Sequence, residues 1–159
     1  MAKLTTAKIN KINKELDKKR KIYILEDNDE VNISVTFKDA VVDKLVLDYI
    51  SILEEVSKSS ELTDEIIRGT IAVLNLLILR EFSDVPTISK KVVEIQKLID
   101  ITYVLYNTGI MDAVMEQFDP AQVKKVHEKL EKVSKRAGEL IGEMAIRATL
   151  DDAKNEELS

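Results

Sequence analysis

The sequence predicts a mainly α fold, α+β in detail: one helical domain of five to six helices with a small N-terminal β-hairpin. Three observations predict it. Apolar residues recur at helical spacing along most of the 159 residues, Gly (4) and Pro (2) are scarce, and strict apolar–polar alternation occurs once, in "VNISVTF". At 45% apolar and 33% charged the chain has the composition of a globular domain, with a core built from aliphatic side chains because aromatics are only 4%.

The first element is a basic helix or arm over 1–20, with a helical stripe of Leu4, Ala7, Ile9, Ile12 and Leu16 running from Leu4 to Lys19. A single helical domain is expected over 21–159. It opens with a hairpin, 21–36: strands at 21–26 and 31–36 flank "DND", and Val31, Ile33, Val35 and Phe37 alternate with Asn32, Ser34 and Thr36. A lone hairpin is marginal in water, so it must lie on helices or pair elsewhere. Thr36 with Asp39 has the pattern of a capping box before a helix reaching about Lys58.

"SSELT" breaks that helix, and Thr63 or Ser60 caps the next, 64–82. Ten of the fourteen residues Ile66–Leu79 are apolar on all sides, which places this helix at the centre of the domain. "SDVPTIS" is a loop, and Ser89 caps a helix to Asn107. Thr108–Gly109 ends it, and a short helix, Ile110 to Phe118, follows. Asp119 as N-cap with Pro120 at the first helical position starts a long C-terminal helix, 120–153.

Several function classes drop out. With no Cys, disulfides, thiolate metal sites and Cys nucleophiles are excluded. The first twenty residues are polar and basic and do not read as a signal peptide; the most apolar run, Ile71–Leu79, falls well short of the roughly 20 residues of a membrane span. No phosphate loop, GxSxG or HExxH occurs. "DNDE" opens like a calcium loop, but Asn32 and Lys38 stand where such a loop needs Gly and an acid. His127, the single histidine, reads as a solvent-facing helix residue, and Asp100 as a paired acid or one at a polar edge. Nothing supplies a reaction or a cofactor, so the expectation is a binding protein and no enzyme.

Charge is uneven. Residues 1–21 hold eight Lys/Arg and two acids, whereas 22–118 hold eight Lys/Arg and eighteen acids. An acidic body makes nucleic acid an improbable partner of the main surface. The arm is either a solvated terminal helix, for which its own acidic body is one resting place, or a contact for nucleic acid or an acidic partner.

In the last helix Val123, Val126, Leu130, Val133, Ala137, Leu140 and Met144 follow 3-4 spacing, a seam about three heptads long. It docks either on the core or on a second helix. Beside it Ser134, Gly138 and Gly142 form a small-residue strip; two glycines in a helix interior each cost about 1 kcal/mol relative to Ala, so a close approach of another surface is expected there. Met111, Met115 and Met144 are flexible apolar side chains of the kind found at adaptable surfaces.

Residues 72–133 carry a resemblance. An apolar helix ending "NLLILREF" at Phe82, a Pro-containing loop, and "EIQKLIDITYVLYNTGIMDAVMEQFDPAQVKKVHEKLEKV" resemble the tail assembly chaperones of long-tailed bacteriophages and prophages of Gram-positive bacteria. The shared pattern is the aromatic helix end, "LID" in a later helix, the Gly-started short helix and the capped Lys/Glu-rich helix. The resemblance implies a protein that binds the tape measure protein, keeps it soluble and helps recruit the major tail protein. It also implies a place in the cytoplasm of the bacterial host and absence from the mature virion, and a longer frameshifted form of which this chain would be the shorter product. The partner-binding residues expected on this reading are Met111, Met115, Val126, Leu130, Val133, Ala137, Gly138, Leu140, Gly142 and Met144. A self-assembling helical adaptor and a nucleic-acid-associated regulator using the arm are the alternatives.

Overall fold

The computed structural model describes residues 2–58, 63–88, 94–133, 135, 139 and 142–147. The elements are α1 (Thr6–Glu15), β1 (Lys19–Ile24), β2 (Asp29–Ser34), α2 (Asp39–Ser57), α3 (Asp64–Phe82), α4 (Ile95–Asn107), α5 (Ile110–Met115) and α6 (Pro120–Val133). Residues 142–147 are helical as well. The fold is mainly helical with one antiparallel hairpin, the predicted class.

Alternation built the hairpin as expected, but two residues earlier in each strand. Ile22 faces Val31 and Ile24 faces Asp29, and Ile22, Ile24, Val31 and Ile33 are buried on one side. The pairing ends at Ser34, and Val35 is exposed, its N–H donating to the Lys18 carbonyl. A lone hairpin would be marginal; here the open edge of β2 is covered by the chain after α3. Ile33 bridges to Ser83, the Asp84 N–H donates to the Asn32 carbonyl, and the Asp84 carboxylate accepts from the Asn32 backbone N–H at 2.8 Å and its side-chain amide at 2.9 Å.

Helix α3 is the centre. It packs on α2, α4 and α5, and ten of its residues are buried. Thr63 caps it as the sequence predicts, its hydroxyl accepting from the Ile66 N–H at 3.2 Å. Two threonine hydroxyls inside the core bond back one turn, Thr70 to the Ile66 carbonyl and Thr102 to the Leu98 carbonyl, both at 2.7 Å. The Tyr49 hydroxyl donates across the α2–α3 interface to the Thr70 carbonyl at 3.2 Å. Where α3 meets α4, Gly69 lies under Ile99 so closely that a Cβ there would sit 2.6 Å from the Ile99 Cγ2.

The capping box does not form. Helix α2 starts at Asp39 with Lys38 as N-cap and no side-chain cap, and just before it the backbone N–H of Phe37 donates to Gln122 Oε1 of α6 at 2.8 Å. Helix α1 is shorter than the predicted span, capped by Thr5, and Lys19–Arg20 of the expected arm belong to β1. The Ser89 cap and the predicted helical residues 89–93 lie outside the described residues. Gly109 ends α4 in the left-handed region, at φ 77°, and leads into α5. Helix α5 stops at Met115 instead of Phe118, since the Gln117 and Phe118 N–H groups close three-residue turns onto Val114 and Met115.

Helix α6 lies along α2 in the same direction. Lys125 pairs with Asp39 at 3.3 Å and Lys129 with Asp43 at 3.2 Å, one helical turn apart on both helices. Farther along, Arg147 donates to the Ser57 carbonyl at the far end of α2. Of the described seam residues, Val126 and Met144 are buried within the chain, Val123 and Leu130 are half-buried and Val133 is exposed.

Candidate functional site

An open apolar hollow lies at the corner between α5 and α6. It has a volume of about 430 Å³ and is lined by Met115, Glu116, Phe118, Pro120, Val123, Lys124 and His127. Local chemistry builds the corner. After α5 the chain tightens through Glu116–Phe118, and Asp119 Oδ1 accepts from the Ala121 N–H at 2.9 Å while Pro120 opens α6.

Met115 and Val123 are half-buried walls and Phe118 is the buried floor. Phe118 stands edge-on to Phe37, with centroids 5.2 Å apart, so the floor is fixed from the core side. Glu116, Lys124 and His127 form an exposed polar rim, with Lys124 3.7 Å from Glu128. An apolar floor with a charged rim on a helical scaffold is the arrangement that receives the apolar face of an amphipathic helix.

The second exposed feature is α1. None of its residues is buried, and Ile9 and Ile12 are 51% and 48% exposed. Leu16 beyond its end is half-buried in a hollow with Val41 and Phe82, and Asp17 pairs with Lys38, so the arm is held at its root and stands away from the body. The arm does not lie along its own acidic surface.

Burial pushes the Tyr49 hydroxyl well above the ordinary tyrosine range. The hydrogen bond to Glu30, 3.0 Å away on the opposite strand, raises the Lys21 ammonium, with the Glu30 charge adding to it. Asp100 is exposed and accepts from the Gln96 amide at 2.9 Å, as a paired edge acid should. Among the described residues no cluster of three His or carboxylates is placed to hold a metal ion, and no helix is long and apolar enough to cross a membrane.

A family model described as YomO matches residues 6–159. The chain belongs to the YomO family. The family is associated with phages and prophages, which agrees with the phage origin that the resemblance implies. No curated protein and no solved structure matches the chain.

In this YomO chain the residues expected to bind a partner separate into three groups. Met111, Val126 and Met144 are fully buried within the chain: Met111 in the core on α5, Val126 on α6, which packs on α2, and Met144 in the helical residues 142–147. Leu130 is half-buried beside them. Met115 lines the groove, and Val133 and Gly142 are exposed. Nothing lies within 4 Å of a Cβ built on Gly142, so no part of the described chain makes the close approach expected there. Ala137, Gly138 and Leu140 lie outside the described residues. Sequence reasoning missed Phe118, Val123, Lys124 and His127 as neighbours of Met115; the available signal was the Asp119–Pro120 corner placed directly after a Met- and Phe-bearing short helix.

Proposed function

We propose that this chain is a tail assembly chaperone whose α5–α6 groove binds a helical segment of the tape measure protein. On this reading it keeps that long client soluble and helps bring the major tail protein to it. The observation that carries the reading is the groove itself: an apolar floor of Met115, Phe118 and Val123 with a polar rim, open at the surface of a chain from a phage-associated family. A long helical client exposes apolar stripes at 3-4 spacing, and such a groove takes them reversibly because Met adapts its shape to successive side chains. The work takes place before the particle is complete, in the host cytoplasm.

Co-expression with the tape measure protein encoded alongside it is the test. The expected result is a soluble complex that elutes together, and a loss of that complex with Met115→Glu while the variant retains the wild-type circular dichroism. A client that stays insoluble, or a complex indifferent to Met115→Glu, overturns the reading.

A further inference from the structure

We propose that α1 of one copy docks in the α5–α6 groove of a second copy, so that the chain associates head-to-tail through its basic arm. The inference rests on the reading of the groove as a helix-binding site, and names its occupant when no client is present.

Two unfilled surfaces in one chain carry it. On α1, Ile9 and Ile12 lie one turn apart on one face and are about half exposed. Lys8 flanks that face one turn before Ile12, Lys11 and Lys14 lie farther round the helix, and none of the three is in an ion pair among the described residues. At the corner, the apolar floor is open, and none of the residues lining it comes from α1 of the same chain. The α5 side of that corner carries Asp112, Glu116 and Asp119, all exposed and none in an ion pair among the described residues. A lysine-bearing amphipathic helix of ten residues, about 15 Å long, fits in length an apolar groove rimmed by Glu116, Lys124 and His127, and with Asp112 and Asp119 close by in the chain the corner has more acids than Lys124 offsets.

Charge also selects among occupants. An anionic polymer or membrane would attract the arm but meet a body with eighteen acids against eight Lys/Arg over 22–118, whereas a second copy presents those same acids to the arm. The arm cannot be redirected freely inside its own chain: only Leu16–Lys18 separate α1 from β1, and Leu16 and Asp17 are engaged with Val41, Phe82 and Lys38. Because arm and groove are different surfaces, the contact is heterologous and propagates into rings or open chains.

Sedimentation of the full chain from micromolar to millimolar concentration is the experiment, with two variants. Ile9→Asp with Ile12→Asp breaks the arm at exposed positions, which leaves folding intact; Met115→Glu breaks the groove. Wild type is expected to rise above the single-chain mass of 18.0 kDa with concentration and to fall back in high salt, and each variant alone to lose association at least tenfold. Mixing the two variants should restore a complex that stops at two chains, since one intact arm meets one intact groove. A wild type that stays at single-chain mass at every concentration overturns the proposal, as does an arm variant that associates like wild type. A mixture of folded variants that does not associate points to a symmetric contact and also overturns it. The client reading is judged separately: the arm variant still captures the tape measure protein if the groove binds it, and fails to do so only if that reading is wrong.

Discussion

The ring of Phe37 lies parallel to that of Phe82, with centroids 3.7 Å apart and an angle of 1° between the planes. Phe118 closes on the same ring edge-on, so all three phenylalanines of the chain meet in one cluster. They come from the end of the hairpin, the end of α3 and the turn after α5, and the backbone of Phe37 is held by α6 through Gln122 and Lys125. The core and the floor of the groove are therefore one piece of packing.

Phe37→Ala should cost about 3–5 kcal/mol, as expected for a buried aromatic truncated to a methyl. A double-mutant cycle with Phe82→Ala should return a coupling of about 0.5–1.5 kcal/mol, the part of the ring contact beyond area burial. Urea unfolding of the four proteins measures both; additive losses would show that the rings are neighbours without energetic coupling.

Gly69→Ala should destabilise the chain by about 1–3 kcal/mol, because the new methyl meets the branched, buried Ile99 side chain at 2.6 Å. Combination with Ile99→Ala, which removes the opposing atoms, should make the added methyl at position 69 close to harmless. Gly142→Ala should go the other way and stabilise by up to about 1 kcal/mol, since it adds a methyl to open space in a helix. Thermal unfolding of the three variants gives the signs.

These two glycines show what could be read in advance and what could not. Helices were legible because apolar spacing, Thr63, Gly109 and Asp119–Pro120 are local signals, and each was found where its chemistry put it. The hairpin was legible in type but not in register, because register depends on the pairing of Lys19 with Ser34 and on Asp84 covering the edge, both long-range facts. The seam of Val123, Val126, Leu130 and Met144 was legible as a seam. Its cover was not, since a 3-4 stripe looks the same whether α2 or another chain lies on it. Gly142 stands out by its motif yet faces open space, while Gly69, which lies close under Ile99, is inconspicuous in a mostly apolar helix. The groove was least legible because its walls come from two helices and the turn between them.

Stability should fall at alkaline pH through Tyr49. Its folded value is raised by burial above the unfolded value near 10.0, so the unfolded chain releases that proton first. The contribution is intact below the unfolded value and declines above it, with a slope of up to about 1.4 kcal/mol per pH unit until the folded hydroxyl itself ionises. Tyr49→Phe should lose about 1 kcal/mol at neutral pH with its hydrogen bond to Thr70, yet lose less than wild type between neutral pH and the alkaline range. Melting curves of both proteins across that range provide the comparison; parallel declines would assign the alkaline loss to other groups.

The attachment of α6 to α2 tests which force holds the last helix in place. Lys125–Asp39 and Lys129–Asp43 look like clamps, but the two carboxylates are at least half exposed, and such pairs contribute about 0–1 kcal/mol. Val126, between the two lysines, is fully buried against the core, and truncating it removes apolar contact that water cannot replace. Lys129→Ala should therefore cost less than about 0.5 kcal/mol, and high salt should leave the melting temperature nearly unchanged. Val126→Ala should cost about 1–3 kcal/mol through lost transfer energy and the cavity left behind. Denaturant unfolding of the two variants in low and high salt decides the matter. A larger loss from Lys129→Ala than from Val126→Ala, or a marked salt dependence, would mean that the ion pairs hold the helix and that the seam merely follows.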